Sequence, residues 1–317
     1  MHSTRFAVPL QASIMMCNME KDIFQKNVEI LTRQSEAERK MTPFGDASLP
    51  SVEALKEIVD IAKTIFFPGF FDQCHTNKEM RAYHIGVNLE RLYSLLKKQI
   101  ALALSFNQEK EDTDVPAQAK QLTLQFIDQM PEIKRMLYTD VEAIFNDDPA
   151  TGNYSEVIFC YPVVTAMVHY RIAHALLAMG IPVIPRIITE QAHGETGIDI
   201  HPGAQIGEYF SIDHGTGVVI GETCIIGNHV TLYQGVTLGA KNFKLECKGD
   251  HPADIPRHPV IEDHVTVYSN STLLGRITIG HDTVIGGNIW VTHSIPPHSR
   301  ILQSKALDVS FSGGLGI

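Results

Sequence analysis

The chain has 317 residues and a formal net charge of −10, and 44% of its residues are apolar. This length predicts two domains with a sizeable core. An acidic chain without a block of lysine and arginine is a poor match for a phosphate backbone, which argues against nucleic acid as a partner. No apolar run approaches the ~20 residues that span a bilayer, so we expect no membrane partner.

The cysteines are few and far apart in the sequence. Five are present, and they are Cys17, Cys74, Cys160, Cys224 and Cys247. An odd number without a C-x-x-C pair is typical of a reduced protein rather than a disulfide framework or a structural zinc site. We therefore expect a cytoplasmic protein.

The first 195 residues are predicted to form an all-α domain. Ser51 is a candidate N-cap for a helix that ends before Pro68, and residues 33–50 are predicted to be a linker or loop. Further helices are predicted over about 78–104, 116–144 and 155–179, where Gly180 ends the last of them.

The apolar period changes near residue 198. Apolar residues then recur every six positions in two registers: Ile200, Ile206, Ile212, Val218, Cys224, Val230 and Val236, followed by Ile261, Val267, Leu273, Ile279, Ile285 and Val291. A six-residue period is typical of a parallel β-helix with three short strands per coil. We therefore predict a β-helix over residues 196–297, with about 18 residues per coil and Cys224 in the core.

The two registers do not match, so a loop must be inserted between them. We place this loop at about residues 240–257, and a loop of this length in a solenoid is usually functional. Residues 298–317 are predicted to be a C-terminal tail, and its last part, residues 308–317, lies outside the pattern and is rich in glycine, so we predict that it is flexible.

The motifs of this region resemble those of serine O-acetyltransferases, a hexapeptide-repeat family. They are TGIDIHPGA at 196–204, IDHGTG at 212–217, VIGET at 219–223, QGVTLG at 234–239 and PRHP at 256–259, with DDPA at 147–150 and YRIAH at 170–174 before them. The resemblance implies a left-handed β-helix after an α-helical domain, in a homotrimer or a dimer of trimers. It also implies acetyl transfer from acetyl-CoA to L-serine in cysteine biosynthesis, with L-cysteine as feedback inhibitor.

A general base is the first requirement of this reaction, because a serine hydroxyl is a weak nucleophile near pH 7. His214 follows an apolar hexad position and should point outward at a coil corner, so we predict that it is the catalytic base. Asp199 lies 15 residues earlier and is predicted to orient the imidazole and stabilise its charged form.

An amino-acid substrate also needs partners for its two charges. Arg257 and His258 are the predicted partners of the carboxylate, and Asp148 and Asp213 those of the ammonium group. Asp148 before Pro149 also fits a helix N-cap, and the two roles are compatible.

Acetyl-CoA is expected as a co-substrate, with no permanently bound cofactor and no metal. By resemblance, Gly239, Ala240 and Ser269 are predicted to contact it. The long loop after Gly239 and the missing Ala-Gly-x-Pro-Ala turn after Ile295 depart from the family pattern.

Three alternatives stay open at the sequence level. One is another hexapeptide acyltransferase that acts on homoserine, a sugar or a xenobiotic. The second is a zinc enzyme resembling γ-class carbonic anhydrase, with ligands drawn from His251, His258, His264, His281 and His293. The third is a non-catalytic scaffold, which leaves His214 and Asp199 without a role.

The sequence ends in Gly-Leu-Gly-Ile, and tails of this kind in the family dock into the active site of cysteine synthase. A terminal carboxylate captured by backbone donors, beside an apolar side chain in a pocket, is a known recognition mode. We therefore predict that a cognate cysteine synthase binds the chain through Ile317.

Overall fold

The structure is a computed structural model, and it describes residues 10–41, 49–71, 78–106, 114–241 and 255–304. The chain divides into two compact units, Met1–Ala47 and Ser48–Ile317. Most of the predicted inserted loop, and Ile317 with the residues from 305 onward, lie outside the described residues.

The first unit contains two helices, α1 (Leu10–Thr32) and α2 (Glu36–Met41). The prediction of a loop throughout residues 33–50 is therefore wrong at α2. The Glu38 N–H donates to Ser35 Oγ over 3.2 Å, and the Ser35 N–H donates to Glu38 Oε2 over 2.6 Å. This reciprocal capping box satisfies amide groups that the start of a helix leaves unpaired.

Six helices open the second unit. They are α3 (Val52–Phe66), α4 (Lys78–Ser105), α5 (Val115–Asp147), α6 (Tyr154–Cys160), α7 (Pro162–Ala178) and α8 (Ile184–Thr196). The predicted N-cap is confirmed, because Ser51 Oγ accepts a hydrogen bond from the Ala54 N–H. The single helix predicted over 155–179 is two helices, since Pro162 offers no N–H and holds Tyr161 extended. None of the helices described is both long and apolar enough to cross a membrane.

Fourteen short strands follow in the part of the chain that is described. They are β1 (Asp199–Ile200), β2 (Gln205–Ile206), β3 (Ser211–Asp213), β4 (Val219–Ile220), β5 (Ile225–Ile226), β6 (Thr231–Tyr233), β7 (Thr237–Gly239), β8 (Val260–Ile261), β9 (Thr266–Val267), β10 (Thr272–Leu274), β11 (Thr278–Ile279), β12 (Val284–Ile285), β13 (Trp290–Val291) and β14 (Arg300–Ile301). The last strand falls within the segment predicted to be a tail.

The strands form three parallel sheets, and the chain visits them in turn. Sheet A contains β1, β4, β7, β10 and β13, sheet B contains β2, β5, β8 and β11, and sheet C contains β3, β6, β9, β12 and β14. This confirms the predicted left-handed parallel β-helix after an α-helical region. We name the three corners of a coil by the sheets they join: A–B, B–C and C–A.

All thirteen predicted hexad positions are buried, so the apolar period is confirmed. The predicted coil length is wrong at the start, because Asp199 pairs with Val219 and Gln205 with Ile225, which makes the first coil 20 residues long. The step from Ile200 through Ile206 to Ile212 has the six-residue period, but the next inward strand residue is Ile220. Two extra residues therefore enter at the C–A corner of the first coil.

Candidate active site

The two extra residues extend the corner that carries His214. His214 has a left-handed backbone with φ of 60°, and its side chain is 73% exposed. Gly215 and Gly217 also have positive φ, and a Cβ added at Gly215 would lie 2.5 Å from Ile198 Cδ1. Glycine is therefore required there, and the enlarged corner holds His214 outside the coil, as predicted.

Two predicted substrate-binding carboxylates meet below this corner. Asp148 and Asp213 line one small pocket, together with Tyr161. The His214 Nε2 atom lies 3.8 Å from Asp213 Oδ1. The structure thus brings Asp148, Asp213 and His214 into one cluster.

Asp148 is held in place as an anion. Its carboxylate accepts hydrogen bonds from Tyr161 Oη over 2.6 Å and from the Ala150 N–H over 2.8 Å. These two bonds, and the nearby His214, hold the pKa of Asp148 below its usual value. The same hydrogen bond raises the pKa of Tyr161 to about 12. The prediction of an N-cap role is wrong, because Asp148 follows the C-terminus of α5 and Asn153 caps α6.

Asp199 does not contact His214 in the described chain. It begins β1, and its carboxylate lies within 4.8 Å of the ligand atoms of Glu190 and His193 on α8. The first coil has 20 residues rather than 18. Asp199 therefore pairs with Val219 on β4, the strand that follows the C–A corner of His214. The predicted role of Asp199 stays a prediction.

Arg257 and His258 lie at a different corner, A–B, where the inserted loop rejoins the coils. The Arg257 Nη2 atom is 2.5 Å from Glu222 Oε2. His258 is buried, and its Nδ1 accepts a hydrogen bond from the Thr223 N–H over 3.1 Å. Thr223 Oγ1 accepts hydrogen bonds from the backbone N–H groups of Arg257 and His258. The Thr223 hydroxyl proton is therefore free to be donated to His258 Nδ1, which lies 2.9 Å away.

This arrangement fixes the state of the His258 ring. Burial, aided by the neighbouring Arg257 charge, lowers the pKa of His258 to about 4, so the ring is neutral near pH 7. With Nδ1 used as an acceptor, Nε2 carries the proton and is a hydrogen-bond donor. A Cβ added at Gly221 would lie 2.1 Å from the ring, so Gly221 makes room for it.

We expect this depressed pKa to appear in the pH dependence of stability. Between about pH 6.5 and 4 the unfolded chain takes up a proton at residue 258 that the folded chain does not, so acid favours unfolding there. The thermal midpoint of the wild type should therefore fall relative to His258→Gln as the pH is lowered through this window. Parallel profiles for the two proteins would contradict the assignment.

The predicted acetyl-CoA residues are divided between two corners. Gly239 is the last residue of β7, and Ala240 follows it at the A–B corner, where it lines a groove of about 880 Å³. The groove also contains three residues that sequence reasoning missed, Lys241, Arg276 and the 68%-exposed Trp290. Ser269 lies at the C–A corner, where its carbonyl accepts the Asn288 N–H.

The width of sheet A therefore separates two sets of predicted residues in one chain. His214, Asp213 and Ser269 lie on its C–A side, whereas Ala240, Arg257 and His258 lie on its A–B side. Gln234, missed by sequence reasoning, lies on the C–A side with its Oε1 buried and without a hydrogen-bond partner among the described residues.

The histidines considered for a zinc enzyme do not converge on one point in the described chain. His258 lies at the A–B corner, whereas His264 and His281 line a groove at the B–C corner. His293 follows β13, and His251 lies outside the described residues.

The parallel β-helix, together with its similarity to known acyltransferases, makes the protein a β-helix acyltransferase. The plasmid-encoded serine acetyltransferase of Synechococcus elongatus is 46% identical over 275 residues, which cover 85% of this chain and 86% of the relative. The chain belongs to the serine acetyltransferase family. No family profile matched the sequence.

Solved structures agree with this membership. The Entamoeba histolytica serine acetyltransferase 1 in complex with L-cysteine has a TM-score of 0.69 and 35% identity, over 81% of this chain and 88% of that one. The Neisseria gonorrhoeae serine acetyltransferase in complex with serine has a TM-score of 0.51 and 25% identity, over 82% and 98% of the two chains. The comparisons favour neither another acceptor nor a carbonic anhydrase.

Proposed function

We propose that the protein transfers the acetyl group of acetyl-CoA to the L-serine hydroxyl, giving O-acetylserine and CoA for cysteine biosynthesis. The observation that carries the proposal is the cluster of exposed His214 with Asp148 and Asp213, which combines a base with an anionic site. Membership of the serine acetyltransferase family supports the choice of substrate.

His214 acts as the general base in this mechanism. Its imidazole removes the hydroxyl proton as the serine oxygen attacks the thioester carbonyl, and a tetrahedral intermediate forms. Collapse of the intermediate breaks the carbon–sulfur bond, and the imidazolium returns the proton to the CoA thiolate. Asp199 is proposed to stabilise the imidazolium, as a carboxylate does in other base-assisted acyl transfers.

Residues at the C–A and A–B corners are proposed to bind the ammonium and carboxylate groups of serine. Asp148 and Asp213 bind the ammonium group, and the Asp148 carboxylate is kept ionised by Tyr161. Arg257 and the Nε2–H of His258 bind the carboxylate. L-Cysteine carries the same two charged groups and differs only in a thiol, so it competes for this site as feedback inhibitor.

A homotrimer would complete the site, either alone or as a dimer of trimers. Because sheet A separates His214 from Arg257 and His258 in one chain, the A–B corner of one copy must meet the C–A corner of the next. The unpartnered Gln234 oxygen at the C–A corner supports a contact there.

Co-expression of two inactive variants tests this arrangement. We expect His214→Asn and Arg257→Ala chains to form mixed trimers in which one interface pairs two intact corners. Random mixing should restore about one quarter of wild-type activity, measured at low serine concentration. If each chain built its whole site, no mixed site would be intact and activity would stay at the level of the single variants.

The groove beside Ala240 suits part of acetyl-CoA. Lys241 and Arg276 supply positive charge for phosphates, and the exposed Trp290 offers a ring for stacking with adenine. We include these residues in the proposed co-substrate site with Gly239, Ala240 and Ser269.

Release of free thiol from acetyl-CoA across a panel of amino acids tests the reaction. L-Serine should give the highest kcat/KM, above homoserine and threonine, and O-acetylserine should appear in step with the thiol. A rate with serine no higher than acetyl-CoA hydrolysis would refute the proposal.

Three further features belong to the proposal. They are a domain boundary after residue 195, a cytoplasmic location, and binding of a cysteine synthase through Ile317. The tail lies outside the described residues, so its support is the C-terminal sequence alone.

A further inference from the structure

A column of side chains follows the B–C corner of the β-helix, away from the groups assigned to the reaction. Five left-handed residues form it, one per coil: Tyr209, His229, His264, Asp282 and His298. The rings of Tyr209, His229 and His264 are stacked, with centroids 4.4 and 4.8 Å apart. We call these residues the corner column.

Two imidazoles and a carboxylate lie close together at the C-terminal end of the corner column. His281 Nδ1 lies 2.8 Å from Asp282 Oδ2, and His298 Nδ1 lies 3.6 Å from the same oxygen. All three residues are exposed, and their ligand atoms lie within 4.8 Å of one another.

Hydrogen bonds between neighbouring coils hold the backbone that carries these side chains. The Asp282 N–H donates to the Asp263 carbonyl, and the His298 N–H donates to the His281 carbonyl. The His281 N–H donates to Glu262 Oε2 over 2.9 Å. The three side chains thus project from two adjacent, cross-linked coils.

The surroundings favour a cation. The groove beside the cluster has two further carboxylates, Glu262 and Asp263, and none of the described residues that line it is a lysine or an arginine. The rings of His281 and His298 lie edge to face with centroids 4.8 Å apart, and both rings are exposed beside Asp282.

We propose that His281, Asp282 and His298 bind a zinc ion at the B–C corner. Two imidazole nitrogens and one carboxylate are a common ligand set for this ion, with water in the fourth position. Zinc ligand atoms lie about 3.4 Å apart in a tetrahedral site, and these three atoms already lie within 4.8 Å of one another on exposed side chains.

The expected consequence is a stabilised end of the solenoid. His298 precedes β14, whose only strand neighbour in the described chain is β12. A terminal coil is stabilised by one neighbour alone, so an ion that joins it to the preceding coil opposes fraying. This site does not depend on the proposed reaction.

A second group, Glu190, His193 and Asp199, also places three ligand atoms within 4.8 Å. It offers one imidazole rather than two, so it is the weaker match for zinc. It provides a control for the experiment.

Calorimetric titration of zinc chloride into the chelator-treated full-length protein, without substrates, tests the proposal. Asn replaces either Asp282 or His298, because Asn tolerates the left-handed backbone of both positions. We expect one tight zinc ion per chain in the wild type, and at least ~10-fold weaker binding in either variant. His293→Asn and His193→Asn should bind as the wild type does.

Thermal unfolding provides an independent readout. Zinc should raise the midpoint of the wild type and of His293→Asn, but not that of His298→Asn. Absence of stoichiometric binding in the wild type would overturn the proposal. So would unchanged binding in both Asp282→Asn and His298→Asn, or a loss confined to His193→Asn.

Discussion

Replacing His214 by Asn should lower kcat at least ~100-fold while leaving the fold intact, because the imidazole is the only proposed acceptor of the serine proton. His214 is 73% exposed with φ of 60°, so its removal costs little core packing. Asn is preferred to Ala because it tolerates this left-handed backbone. Thiol release at saturating serine and acetyl-CoA measures the effect.

His229→Asn is the matched control for this variant. His229 is also exposed and left-handed, with φ of 55°, but it lies at the B–C corner of the next coil. We expect its kcat to stay near that of the wild type. Turnover of His214→Asn within a few-fold of this control would remove His214 from the mechanism.

The apolar period was sufficient to predict the fold because each inward side chain in a β-helix obeys the same local rule. All thirteen hexad positions are buried. The two-residue insertion at His214–Gly217 stayed hidden because each coil also buries a residue two positions before the strand residue, such as Val218 before Ile220. An apolar period thus continued across the insertion, and the coil length was underestimated.

The positions of the predicted site residues relative to one another were only partly predictable from the sequence. Asp148, Asp213 and His214 share a cluster as expected from the motifs, but the sequence does not show that Arg257 and His258 lie across sheet A from them. That separation depends on the number of residues in each coil. Tyr161 and Thr223 were missed because their roles depend on contacts with Asp148 and His258 that sequence spacing does not specify.

The buried ion pair of Arg171 and Asp140 connects the helices to the first coil. Arg171 on α7 makes two hydrogen bonds of 2.7 Å to Asp140 on α5. It also donates to the carbonyls of Ile206 and Gly207, and Asp140 accepts the Phe210 N–H. Both side chains are almost fully buried. The pair therefore positions α5, which ends at the proposed ammonium site, against the coil that carries Asp213 and His214.

Replacing Arg171 by Leu should destabilise the protein by about 3–5 kcal/mol, because it leaves the Asp140 carboxylate and two carbonyls buried without their donor. The exposed pair of Arg135 and Glu208 also joins α5 to this coil, so Arg135→Leu is a matched control that should lose much less stability, because water screens an exposed pair. Thermal unfolding at one protein concentration measures both variants. Asp140→Leu combined with Arg171→Leu should lose less than the two single losses added together. Equal, small losses in the two single arginine variants would show that the buried pair adds no more than a surface pair does.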